Sequence, residues 1–128
     1  MILISNNPLT EEWAAELTGL VRVTVAGDAL AVLTRARDYV HRKWRFLADP
    51  GAGRDKHRRN PYLTLWLSGP EISLHMPSLE QMEGLMLQER RSVRTGFPED
   101  WRGDFQRLDA DFAVGVFLGL QEGSESID

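Results

Sequence analysis

The sequence contains no cysteine, which excludes disulfide bonds, thiolate metal sites and cysteine nucleophiles. Its three histidines, His41, His57 and His75, lack the spacing of paired metal ligands, so we expect no metal. No stretch approaches the roughly 20 apolar residues of a membrane span. The first residues, MILISNNP, also lack the basic region of a signal peptide. These absences predict a cytoplasmic protein that does not cross a membrane.

Several signatures of catalysis are missing as well. The phosphate-binding pattern G-x-x-x-x-G-K-[ST], the dinucleotide pattern G-x-G-x-x-G and the hydrolase pattern G-x-S-x-G do not occur. The carboxylate pairs Glu11/Glu12 and Asp109/Asp111 fall on predicted helices, where we expect them to face solvent. We therefore expect no cofactor and assign no catalytic residue from the sequence.

Charge is distributed unevenly along the chain. The 128 residues suit one domain, and the formal net charge is −4. Residues 35–59 carry nine of the 15 Lys and Arg and three Asp, a local charge of +6, so the rest carries −10. In an acidic protein, such a stretch is either directed at an anionic partner or simply a solvated charged loop.

Hydrophobic periodicity predicts an α/β fold. Strands are expected at 2–5, 21–25, 46–47, 62–67 and 72–75, with the last two forming an antiparallel hairpin. Helices are expected to begin near the capping residues Thr10, Asp28, Ser78 and Asp104, with Gly19 ending the first. We predict a three-layer single domain at 1–121, with a mixed four- to five-stranded sheet, about four helices and a polar tail at 122–128.

The last predicted helix has an unusually wide apolar face. Phe105, Leu108, Phe112, Val116 and Leu120 are expected to point inward. This width indicates packing in the core or against a second subunit, so a homodimer through the C-terminal helix is one expectation. The spacing of Gly115 and Gly119 would permit close helix contact.

Candidate ligand-binding residues come from three places. Asn6 and Asn7 follow the first strand, and ligands of open α/β sheets bind at the carboxyl ends of strands. Arg37 and His41 lie one turn apart on the second helix and could reach the same ligand. An alternative for His41 is a partly buried histidine bonded to the backbone. A pocket forms only if the basic loop bends back over the Asn pair.

The loop itself has the ingredients of an anion site. Gly51 and Gly53 allow backbone N–H groups to approach an anion, and Arg54, Lys56 and further cations follow them. The favoured function is an accessory module that binds a small anionic ligand or an acidic partner protein. The alternative is an enzyme for a phosphorylated or carboxylate metabolite, with His41 or His57 as general acid/base. The acidic total disfavours nucleic acid.

The order of short motifs resembles the GrdX family over roughly residues 1–80. The motifs are Ser5-Asn6-Asn7-Pro8, Arg37-Asp38-Tyr39-Val40-His41, Leu47-x-x-Pro50-x-x-Gly53 and Pro61-Tyr62. GrdX-like proteins are encoded beside glycine, sarcosine and betaine reductase components in amino-acid-fermenting bacteria. The resemblance thus implies a genomic neighbourhood rather than an activity, and a protein partner in a reductase complex is one expectation from it.

The resemblance also adds residues to the candidate site. Its matched positions are Asn6, Asn7, Pro8, Arg37, Asp38, His41, Pro50, Gly53, Pro61 and Tyr62. Four departures occur at Asp49, Lys56-His57, Leu63 and Lys43-Trp44, where the family has His, Lys-Pro, Lys and Gly-His. A ligand shared by the family could therefore be altered or lost here.

Overall fold

A computed structural model describes residues 1–55, 58–92 and 98–126, with backbone alone for 123–126. The elements are β1 (Ile2–Ser5), α1 (Pro8–Ala14), β2 (Val21–Thr24), α2 (Ala29–His41), β3 (Arg45–Phe46), β4 (Thr64–Ser68), α3 (Met76–Arg91), a 3₁₀ turn (Glu99–Trp101) and α4 (Arg102–Ser126). The predicted α/β class is confirmed. Helix α4 ends at Ser126 and therefore extends into the segment 122–128 that we expected to be a polar tail.

The sheet is mixed and has the strand order β2-β1-β4-β3. Strand β1 pairs in parallel with β2, from Ile2 opposite Val21 to Ser5 opposite Thr24. Strand β4 runs antiparallel to both of its neighbours, β1 and β3. Because β1 has a neighbour on each side and a helix layer on each face, all four of its residues are buried.

Helices cover both faces of the sheet, so the predicted three layers are present. One face is aliphatic: Ile2, Ile4, Leu65 and Leu67 pack against the apolar stripes of α2 and α3. The other face carries Leu3 and Trp66, which pack against α1 and α4. Alternation along β1 and β4 places Ser5 and Thr64 on this second face too. The buried polar side chains of these two strands therefore lie on the face of the sheet that α1 and α4 cover.

Capping side chains set the beginnings of the helices. Asp28 caps α2 as predicted, with its carboxylate accepting from the Ala31 N–H at 3.1 Å. Three other predicted starts were wrong. Asn7 caps α1 in place of Thr10, and His75 caps α3 in place of Ser78. Helix α4 begins at Arg102, directly after the 3₁₀ turn.

The first and third helices differ from prediction for identifiable reasons. Proline follows the N-cap by one or two residues in both, where its missing N–H costs nothing. Helix α1 ends at Ala14 rather than at Gly19. Ser78 lies within α3, where its hydroxyl accepts a hydrogen bond from the Phe46 N–H at 2.9 Å.

The predicted fifth strand at 72–75 was wrong. Residues 70–75 form no strand, and the Ile72 side chain is 97% exposed, so the alternation there has no buried face. The His75 ring instead accepts from the Ser78 N–H and starts α3. A four-residue alternation is too short to distinguish a strand from a helix lead-in.

The inward face of α4 also differs from prediction. Leu108 and Phe112 are 62% and 38% exposed, whereas Phe105, Asp109 and Ala113 are buried. The buried line follows a spacing of four residues and passes through a carboxylate. These exposed apolar residues do not establish a contact with a second subunit, so the homodimer through α4 stays a prediction.

Candidate functional site

Asn6 fastens the end of β1 to two other segments. Its amide nitrogen donates to the carbonyls of Gly27 (2.9 Å) and Pro61 (2.8 Å). Its oxygen accepts from the Leu63 N–H at 2.9 Å. These three bonds connect β1 to the turn before α2 and to the segment before β4. Asn6 therefore positions chain segments with the same groups that we expected to bind a ligand.

Asn7 is fully buried and connects β1 with α1 and α4. Its oxygen accepts from the Leu9 N–H at 3.1 Å, which caps α1. Its nitrogen donates to the Gln106 carbonyl (2.7 Å) and to Asp109 Oδ2 (2.9 Å). All of these partners belong to the protein itself, so the Asn7 amide is committed to the fold.

Asp109 is the centre of a buried polar network, and the prediction that it faces solvent was wrong. Its side chain accepts from Thr64 Oγ1 at 2.7 Å as well as from Asn7. Thr64 Oγ1 lies 2.9 Å from Ser5 Oγ and 3.3 Å from Thr10 Oγ1. Burial raises the pKa of Asp109, although these bonds and the charge of Arg54 oppose the increase.

Arg54 forms a buried ion pair with Glu89 of α3. The Arg54 Nε to Glu89 Oε1 distance is 2.7 Å, and the two side chains are 3% and 0% exposed. Arg54 Nη1 donates to the Tyr62 carbonyl at 3.1 Å. Arg58 lies 3.9 Å from the same Glu89 oxygen and donates to Gln88. The loop cations, Arg54 and Arg58, thus hold the loop onto α3.

Asp55 and Asn60 close the loop on itself and against α4. Asp55 accepts from the backbone N–H groups of Arg59 (2.9 Å) and Asn60 (3.0 Å). The Asn60 amide donates to the Phe105 carbonyl at 3.0 Å. Partial burial would raise the pKa of Asp55, but these two N–H donors and nearby Arg54 outweigh it and lower that pKa. The predicted site residue Lys56, like His57, lies outside the described residues.

Two spaces lie between the loop and α4. The inner cavity, of about 10 Å³, is lined by Arg54, Thr64, Trp66, Asp109 and Phe112, among others. The outer cleft, of about 310 Å³, is open and includes Gly53, Asn60, Phe105 and Leu108 in its wall. A third space of about 370 Å³ lies between the loop and α3. Gly51 borders that space, and its N–H already donates to Asp49 Oδ1 at 2.9 Å.

Arg37, Asp38 and His41 lie away from the other predicted site residues. Helix α2 begins beside Gly27, the partner of Asn6, so Arg37 and His41 lie roughly 12 and 18 Å further along its axis. Arg37 is half-buried, while Asp38 and His41 are exposed. The structure thus brings together Asn6, Asn7, Gly53, Arg54 and Tyr62, and it places the α2 residues elsewhere.

The end of α2 has an unusual backbone. Lys43 N–H donates to the Val40 carbonyl (3.1 Å) and Trp44 N–H to the Tyr39 carbonyl (3.0 Å), the two bonds of a Schellman motif. The Trp44 and Tyr39 rings pack edge to face at 5.6 Å. Lys43 occupies the left-handed position with φ of 77°, where glycine is the usual residue. Its side chain is exposed.

Sequence reasoning missed Glu89 and Asp109, although each continues a buried stripe. Asp109 lies four residues after Phe105 and four before Ala113, both buried. Glu89 lies three residues after buried Met86 and seven after buried Met82. A carboxylate within the apolar stripe of a predicted helix could therefore have indicated a buried carboxylate with a polar partner.

The fold and these buried contacts define a small α/β protein whose loop is fixed to two helices. A family model for GrdX-like proteins matches residues 2–117. The chain belongs to the GrdX-like protein family. No curated protein and no solved structure matches it.

Within the described ranges, no group of three or more His, Asp or Glu side chains is arranged to hold a metal ion. Nor does any helix in those ranges combine the length and the apolar character that crossing a bilayer requires.

Proposed function

We propose that this GrdX-like protein is an accessory binding module that docks an acidic segment of a partner protein. The docking surface is formed by the helix cations, Arg35, Arg42 and Lys43, in the second half of α2 and at its end. All three side chains are exposed. Arg35 and Arg42 lie seven residues apart and therefore on one side of the helix.

The division of the basic stretch supports this choice of surface. Arg54 and Arg58 are paired with Glu89, and Arg45 is paired with Glu71 at 3.4 Å. Across the described residues, by contrast, the helix cations form no ion pair. Asp38, one turn before Arg42, does not pair with it either. The residues outside 35–59 carry a net charge of −10. The unpaired helix cations are available to an acidic group of another molecule.

The observation that carries the proposal is the backbone of Lys43. A non-glycine residue in the left-handed region costs about 1 kcal/mol or more, and such strain is concentrated at functional positions. Here the strained residue holds an exposed ammonium group beside Arg42. A glycine would relieve the strain but would remove the charge.

The shape of the surface favours a macromolecular partner over a small anion. The outer cleft and the space between the loop and α3 are lined by residues of the loop, α3 and α4, and none of their lining residues belongs to α2. An exposed helix end suits an extended acidic segment, whose attraction to it would weaken with salt. The reductase components implied by the family resemblance are the first partners to test.

The enzyme alternative receives less support. His41 is exposed, and no hydrogen bond or ion pair orients its ring within the part of the chain that the structure describes. A general acid/base needs a positioned ring within reach of its substrate.

Charge reversal tests the proposal. The bait proteins for capture from a native-host lysate are wild type, Arg42→Glu/Lys43→Glu, and the matched control Arg90→Glu/Arg91→Glu at the exposed end of α3. Wild type and the control should retain an acidic partner, identified by mass spectrometry, and the α2 variant should lose it. Equal retention by all three proteins, or capture of nucleic acid instead, would refute the proposal.

A further inference from the structure

Two residues in the wall of the inner cavity each carry a buried hydrogen-bond donor that has no acceptor among the described residues. Among the described residues, neither Arg54 Nη2 nor Trp66 Nε1 has a hydrogen-bond partner. The Arg54 side chain and the Trp66 residue are each 3% exposed, and both line the cavity of about 10 Å³. That volume holds about one water molecule. Because buried donors are almost always satisfied, an oxygen atom is expected in this cavity.

The inner cavity and the outer cleft share three residues of their walls. Both spaces are lined by Gly53, Arg54 and Phe112. The Phe112 ring rests on Gly53 so closely that a Cβ at position 53 would lie 2.7 Å from a ring carbon. Glycine therefore permits this ring position, and rotation of the half-exposed Phe112 side chain would join the two spaces.

The outer cleft offers an apolar surface beside those donors. Phe105, Leu108 and Phe112 form part of its wall, and Leu108 is 62% exposed. Its volume of about 310 Å³ is at the lower end of the range for small-molecule pockets.

The surrounding charges determine what kind of oxygen can bind. Arg54 and Arg58 face Glu89, and Asp109 and Asp55 lie close to Arg54. Among the described residues, these three carboxylates, together with that of Asp49 in the wall of the inner cavity, outnumber the two guanidinium groups and leave no excess of positive charge for another anion. An uncharged acceptor, such as a carbonyl oxygen, satisfies both donors without this repulsion.

We propose that the inner cavity and the outer cleft form one binding site for a small uncharged molecule that carries a carbonyl oxygen on an apolar body. The oxygen accepts from Arg54 Nη2 and Trp66 Nε1, and the apolar body lies on Leu108 and Phe112. Phe112 turns away from Gly53 to admit the ligand. This site lies apart from the helix cations of α2.

Three fragments test the site by NMR on the full chain, with the Trp66 indole N–H signal as the readout. Benzamide carries the neutral carbonyl, benzoate is its charged analogue and toluene lacks an acceptor. Benzamide should move the Trp66 signal, with a dissociation constant at least about tenfold lower than that of benzoate. Toluene should leave the indole signal in place.

Two matched variants of α4 complete the test. Leu108→Gln alters the cleft, whereas Leu118→Gln changes another exposed leucine outside it, 54% exposed, and both side chains are exposed enough for the fold to survive. Leu108→Gln should weaken benzamide binding at least about fivefold, and Leu118→Gln should not. The proposal fails if benzamide leaves the Trp66 signal unmoved, if both variants act equally, or if benzoate binds more tightly.

Discussion

The loop cations and the helix cations belong to one basic stretch but occupy opposite environments. Arg54 is 3% exposed and lies 2.7 Å from a fully buried carboxylate of Glu89. Lys43 and Arg42 are exposed at the end of α2. Local charge in a sequence therefore does not identify a binding surface, because burial decides whether a cation is paired within the protein or presented to a partner.

The same comparison holds for ion pairs. Arg45–Glu71 is an exposed pair at 3.4 Å, with side chains 45% and 39% exposed, whereas Arg54–Glu89 is fully enclosed. An exposed pair contributes little because water and salt screen it. Removing one member of a buried pair leaves an uncompensated charge in the interior.

The largest expected effect comes from Glu89→Gln. This change removes the buried negative charge and should lower the free energy of unfolding by about 3–5 kcal/mol. The matched control, Glu71→Gln, should lower it by less than about 1 kcal/mol. Urea denaturation measures both. Similar losses in the two variants would show that burial does not distinguish these pairs.

A smaller effect of opposite sign is expected for Lys43→Gly. Glycine adopts a φ of 77° without strain, so the free energy of unfolding should rise by about 1 kcal/mol. Capture of the acidic partner should weaken at the same time, because the ammonium group is lost. The control is Lys43→Ala, which loses the charge and keeps the strain. If the Gly variant captured the partner as well as wild type does, the Lys43 ammonium group would not contribute to binding.

The smallest expected effect is a change in how stability depends on pH. The pKa of Asp109 in the folded chain is raised above its ordinary value near 3.8. The ordinary value applies to the unfolded chain. At a pH between the unfolded and the folded pKa, Asp109 therefore keeps its proton in the folded chain and has released it in the unfolded chain. The contribution of Asp109 to stability is therefore largest below pH 3.8 and is lost as pH rises through the folded pKa.

Asp109→Asn isolates this contribution, since an amide keeps an acceptor for Thr64. The free energy of unfolding of the variant relative to wild type should increase as pH rises above about 4. Asp55→Asn should show a trend of opposite sign in a lower pH window: the pKa of Asp55 is lowered in the folded chain, so its stabilisation is present above pH 3.8 and is lost as pH falls through the folded pKa. Parallel pH profiles for the two variants would contradict these assignments.

Particular residues show which parts of the structure could be predicted from the sequence. The alternating valines of β2, the buried run of β1 and the Asp28 cap predicted elements that the structure confirms. The loop does return to the end of β1, where Asn6 contacts Pro61 and Leu63. We predicted that Asn7 and the loop cations would face a ligand without taking into account that Asp109 of α4 accepts from Asn7 and that Glu89 of α3 pairs with Arg54.

The sequence by itself determined the α/β class and the resemblance to the GrdX family, since strand and helix periods and short motifs are local properties of a chain. Only the tertiary structure decided which polar groups are buried together. Asn7 and Asp109 are 102 residues apart, and Arg54 and Glu89 are 35 apart. No local pattern encodes such pairings, because they depend on how α3 and α4 pack around the end of the sheet.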